Sequence, residues 1–122
     1  MATIDITERS FDETITDHSI VFVDFWAGWC GPCRAFAPTF AAASAQYPEI
    51  VFAKVDTEAE QNLAAAAGIR SIPTLMAFRD KILVFSQPGA LNASSLDEVI
   101  VAVQNLDMTA VRASVSAQQT SA

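Results

Sequence analysis

Val21-Phe22-Val23-Asp24-Phe25-Trp26-Ala27-Gly28-Trp29-Cys30-Gly31-Pro32-Cys33 holds both cysteines of this 122-residue chain. Ile20 to Trp26 is an apolar run rich in β-branched and aromatic residues, the pattern of a strand covered on both faces. After Cys30 a helix is expected to about Tyr47, with Pro32 suited to its first turn and Pro38 placed to kink its interior. The cysteines therefore stand where a strand hands over to a helix. Two thiols separated by two residues can close a small disulfide or supply half of a metal site. A zinc site needs two more soft ligands. The chain has one histidine, His18, and no third cysteine, so ligand counting favours redox chemistry.

Working outward, residues 3–6 read as a short strand, and Thr7 and Ser10 offer caps for a helix carrying Phe11 and Ile15 on one face. Val51 to Val55 is a second buried strand. Thr57-Glu58-Ala59-Glu60 reads as a capping box before an alanine-rich helix ended by Gly68. Leu75–Phe78 and Ile82–Phe85 read as a hairpin, and Ser95-Leu96-Asp97-Glu98 as a second capping box opening a helix with Leu96, Val99, Ile100, Val103 and Leu106 on one stripe. The alternation predicts an α/β fold, a central mixed sheet with helices on both faces. From Met108 the composition turns to Ala, Ser, Thr and Gln; Met108, Val111 and Val115 continue a helical stripe, but the expectation here is a frayed or disordered tail.

The length suits one domain with its own core. Apolar runs are strand-length, far short of the roughly 20 residues of a membrane span. The formal charge of −7 argues against nucleic acid as a ligand, since phosphate needs a basic footprint. Met1 to Asp5 has neither a basic lead nor an apolar core, so no secretory signal is expected, and the expected setting is the reducing cytoplasm.

Unpaired N–H groups and the dipole at a helix start favour a thiolate. Cys30 precedes the helix and is the expected nucleophile; Cys33, about a turn in and expected to be more buried, is placed to attack a mixed disulfide at Cys30. Asp24 lies mid-strand on the face shared by Phe22 and Trp26, where a carboxylate is costly unless paired. It is either an edge aspartate reaching water or a buried acid–base group for Cys33; a strand leading straight into the cysteine loop favours the second. Lys54 is either a snorkelling lysine or, on a neighbouring strand, a charge partner for Asp24. Ile72-Pro73-Thr74 fits a trans proline opening an edge strand, or a cis bond exposing backbone to an extended peptide. Trp26 reads as core and Trp29 as more exposed. His18 reads as exposed and without catalytic role, Met76 as core and Met108 as tail.

The stretch Val23 to Cys33, with Pro38, Lys54-Val55-Asp56, Gly68-Ile69-Arg70-Ser71-Ile72-Pro73-Thr74 and Gly89-Ala90-Leu91, closely resembles the thioredoxin family, over roughly residues 3–107. The resemblance implies a thioredoxin fold, with about five strands flanked by four helices. It implies a domain over 1–107 and a C-terminal extension over 108–122. It implies that Pro73 is cis and packs on a redox-active Cys30–Cys33 disulfide. Trp29, Gly31, Pro32, Ile72, Pro73, Gly89 and Ala90 would form the substrate-binding surface, with Asp24 and Lys54 completing the catalytic set. The implied activity is a protein-disulfide reductase acting in cell redox homeostasis, with no bound cofactor or metal. Electrons would come from NADPH through thioredoxin reductase, and the partners would be that reductase and disulfide-containing proteins. A monomer is expected. A chaperone-like module that uses the surface without the thiols, and a disulfide-forming oxidant, are the rival readings. Lys81 stands where the family usually has glycine, Arg34 where lysine is frequent and Glu58 where aspartate is common.

Overall fold

The apolar runs become neighbouring strands of one sheet, and the amphipathic segments cover it. The computed structural model describes residues 2–120. The chain order is β1 (Ile4–Asp5), α1 (Glu8–Asp17), β2 (Ile20–Trp26), α2 (Gly31–Gln46), β3 (Val51–Asp56), α3 (Gln61–Ala66), β4 (Thr74–Arg79), β5 (Ile82–Pro88), α4 (Ala93–Gln104) and α5 (Met108–Thr120). In the sheet the strands lie in the order β1-β3-β2-β4-β5. β1, β3 and β2 run parallel; β4 is antiparallel to β2, and β5 to β4. β2 is central, which is why its sequence is apolar on both faces.

Side-chain alternation sorts the core into two layers. On one face Phe22, Phe52, Leu75 and Ala77 pack against Phe36 and Phe40 of α2 and against Leu96, Ile100 and Val103 of α4. Phe22 and Phe52 are cross-strand partners whose rings stack at 5.6 Å, and Phe40 meets Phe52 edge-on at 5.3 Å. On the other face Val21, Val23, Phe25, Val55 and Met76 pack against Ile15 of α1 and Leu63 of α3. Each such side chain contributes about 1.5–3 kcal/mol by burial, so the register of β2 is strongly specified. That register sets Asp24 beside Lys54 on one side and Leu75 on the other.

Three local expectations are corrected. First, among the described residues five helices accompany the sheet, not four, and the segment from Met108 is helical to Thr120. Met108 is only 7% exposed, so it belongs to the core. Val111 and Val115 lie beside Ile82, Val84 and Leu106, and Arg112 reaches Asp80 at 3.5 Å. The start signal is Asp107, whose Oδ1 accepts from the N–H groups of Thr109 and Ala110. Second, the Thr57–Glu60 capping box does not form, because both side chains have distant partners. Thr57 Oγ1 donates to the Trp26 carbonyl at 3.0 Å, and Glu60 Oε1 accepts from the Glu8 N–H at 2.8 Å. Third, α4 starts earlier than Ser95. Asn92 is its cap, its Oδ1 accepting from the Ser95 N–H at 2.8 Å, so Ser95 sits in the first turn.

Gly68, at φ +72°, ends α3 as expected. The β4–β5 turn holds Asp80 at φ 52° and Lys81 at φ 72°, the left-handed region in which glycine is least strained.

Candidate active site

β2 and β3 are parallel neighbours, so their C-terminal ends, Trp26 and Asp56, lie side by side at one edge of the sheet. Open α/β sheets form their sites at such ends. The backbone N–H of Thr57 donates to the Trp26 carbonyl at 2.9 Å, which fixes the loop after β3 against the loop after β2. Ala27 is fully buried, then Gly28 and Trp29 turn the chain outward to Cys30, the N-cap of α2.

Cys30 and Cys33 form a disulfide with Cα atoms 5.2 Å apart. Cys30 Sγ accepts the Cys33 backbone N–H at 3.2 Å, so a sulfur occupies the position where a helix start favours negative charge. Burial does not rank the two as expected, since their exposures are 4% and 3%. What separates them is position. Cys30 lines a surface groove of about 450 Å³, while Cys33 is not among its lining residues.

Ile72–Pro73 is a cis peptide, and the Ile72 carbonyl oxygen is 3.7 Å from Cys30 Sγ. Gly89, at φ +102°, donates its N–H to the Pro73 carbonyl at 2.7 Å, tying the end of β5 to this loop. The groove is walled in part by Trp29, Gly31, Pro32 and Ile72, with Trp29 68% exposed. Pro73 is buried beneath it, and Gly89 and Ala90 are exposed but do not line it. Thr57, Ala64, Ile69, Arg70 and Ser71 complete the wall, none of them among the expected substrate-binding residues. Their signals were available: Ile69, Arg70 and Ser71 immediately precede the Ile72-Pro73 pair, and Thr57 follows a parallel strand.

Asp24 is fully buried, and neither carboxylate oxygen has a hydrogen-bond partner among the described residues. Desolvation raises its pKa from 3.8 to about 6, against the opposing pull of the Lys54 charge. Lys54 is half-buried, and its Nζ stands 5.0 Å above the Trp26 ring. Stacked there, the ammonium faces an indole and exerts its effect on Asp24 without a direct ion pair. Trp26 in turn packs on the cluster of Ala27, Cys30 and Cys33. His18 caps the exposed C-terminal end of α1, its Nδ1 3.0 Å from the Thr14 carbonyl oxygen. Among the described residues no group of three or more His, Cys, Asp or Glu side chains gathers to hold a metal. Among them, too, no helix is long and apolar enough to cross a membrane.

Comparison with known proteins agrees with this geometry. The sequence pattern of the family described as Thioredoxin matches residues 2–102. The chain is 50% identical over 121 residues to putative thioredoxin 2 of Streptomyces coelicolor, covering 99% of this chain and 90% of that one. It is 43% identical over 93 residues to thioredoxin 1 of Synechococcus elongatus, covering 75% and 87%. Among solved structures, Plasmodium falciparum thioredoxin superposes with a TM-score of 0.74 at 35% identity over 80% of this chain and 95% of that one. A Halobacterium salinarum thioredoxin variant reaches 0.78 at 31% identity over 85% and 91%. With a cysteine pair at disulfide distance on the matching fold, this chain belongs to the thioredoxin family and is a thiol-disulfide oxidoreductase.

Proposed function

We propose that this chain reduces disulfides of other proteins in the cytoplasm, with Cys30 as nucleophile and Cys33 as resolving thiol. The observation that carries the assignment is Cys30 Sγ on the groove, accepting an N–H at the start of α2. In the reduced protein the Cys30 thiolate attacks one sulfur of the target disulfide. A Cys30–target disulfide forms, and the other target sulfur leaves as a thiolate. Cys33, deprotonated, then attacks Cys30 Sγ and displaces the second target thiolate, closing the Cys30–Cys33 disulfide. Two electrons pass from the dithiol to the target.

Asp24 serves the second attack. A carboxylate titrating at about 6 changes protonation close to neutral pH, so it takes the Cys33 proton, through a water where the gap requires one. Lys54 keeps that acid from rising further. Trp29, Gly31, Pro32, Ile72 and Pro73, with Gly89 and Ala90 behind the loop, receive the target chain in extended form. Residues 1–107 act as the thioredoxin domain and 108–122 as a C-terminal extension. The protein works as a monomer without bound cofactor or metal, and NADPH-dependent thioredoxin reductase returns it to the dithiol. With a charge of −7 it does not seek nucleic acid.

The test is a coupled assay with this protein, a disulfide-linked protein substrate, NADPH and a thioredoxin reductase. NADPH consumption that depends on the chain and vanishes in Cys30→Ser is expected. Consumption absent with competent reductases overturns the electron route, and full activity in Cys30→Ser overturns the nucleophile.

A further inference from the structure

Resting on the reading of the groove as the substrate seat, we infer that Arg70 makes this chain prefer target segments bearing a carboxylate near the attacked cysteine. The chain carries 14 acidic residues against 7 basic ones, so its surface as a whole repels an acidic partner. The groove is the exception. Among the described residues lining it, Arg70 is the one charged residue and none is acidic. The Arg70 side chain is exposed and has neither an ion pair nor a hydrogen bond among the described residues, so its charge is not spent on holding the fold. Glu58 adjoins the lining residue Thr57 in sequence but is not itself among the lining residues. Arg34, by contrast, is tied through Nη1 to the Gly28 carbonyl at 2.9 Å, holding a second cation beside the cysteine loop.

Geometry gives the position of the preferred acid. The Ile72 carbonyl borders Cys30 Sγ, so a target cysteine at Cys30 lies opposite Ile72. Arg70 is two residues upstream in the bent loop that walls the groove, at most about 7 Å from Ile72 by chain length, and its own side chain adds reach. A glutamate or aspartate two to four residues from the target cysteine then meets the guanidinium, which offers a fork of donors suited to a carboxylate. The occupant is therefore an extended, acidic cysteine-bearing segment.

The test uses short peptides that differ only in Glu, Gln or Lys at those positions, each linked by disulfide to the same chromogenic thiol. The second-order rate constant of reduction is measured with prereduced protein, so no reductase is required. Glu should exceed Gln by about two- to fivefold, the range of an exposed ion pair, and Lys should fall below Gln. Arg70→Ala should abolish the ranking, Arg70→Glu should reverse it, Arg70→Lys should keep its sign, and high salt should flatten it. Equal rates for the three peptides, or a ranking unchanged in Arg70→Ala, overturn the inference while leaving the reductase reading intact. Failure to reduce any peptide overturns that reading itself.

Discussion

Replacing Asp24 with alanine should stabilise the protein at neutral pH and do far less in acid. The carboxyl is fully buried without a hydrogen-bond partner among the described residues, and burial lifts its pKa from 3.8 to about 6. At about 1.36 kcal/mol per unit, that rise corresponds to about 3 kcal/mol. The folded state holds the proton more tightly than the unfolded chain. Below about pH 4 both forms are protonated and the charge penalty is absent; above about pH 6 both are ionised and the penalty is present in full. Stability of the parent therefore falls across that window on account of this group, and the variant escapes the fall. Shortening the side chain leaves a small void whose cost is the same at either pH, so it cancels in the comparison. The assay is guanidinium chloride unfolding of both oxidised proteins from about pH 3 to about pH 8, with the variant gaining about 3 kcal/mol relative to the parent over the range. A stability difference that stays flat with pH, or narrows as pH rises, refutes the reasoning.

Lys54→Met removes the charge that opposes desolvation, so the Asp24 titration followed by carbon NMR should move above about 6; an unchanged or lowered midpoint contradicts the coupling. Lys81→Gly relieves a side chain held at φ 72° and should raise stability by about 1 kcal/mol in chemical denaturation, whereas a loss would show that the lysine makes a compensating contact. Met108→Ala should cost about 2 kcal/mol if α5 packs on the domain as described, and a cost below about 0.5 kcal/mol would mean that it does not.

Much of the architecture was legible because the core strands declare themselves. Ile20–Trp26 and Val51–Val55 are apolar on both faces, and only a central position in a sheet explains that. The cysteine pair, Asp24 and the Ile72-Pro73 step all stand out in the sequence by chemistry alone. What was not legible depended on partners far along the chain. Whether Lys54 neighbours Asp24 is a matter of strand register, which Phe22 and Phe52 decide by packing on one face. Thr57 and Glu60 look like a capping box locally, yet Trp26 and Glu8 claim them. α5 is weakly patterned, its apolar positions separated by alanine and serine, so the periodicity of Met108, Val111 and Val115 gave little contrast. The far wall of the groove comes from a loop whose residues carry no distinguishing chemistry except Arg70.

Trapping of mixed disulfides distinguishes attack by Cys30 and resolution by Cys33 from the reverse order. Cys33→Ser and Cys30→Ser proteins are each incubated with a peptide disulfide, and the adducts are mapped by mass spectrometry. A stable peptide adduct should form on Cys30 in the Cys33→Ser protein, far faster than any adduct on Cys33 in the Cys30→Ser protein. Equal rates, or an adduct formed chiefly on Cys33, contradict attack by Cys30.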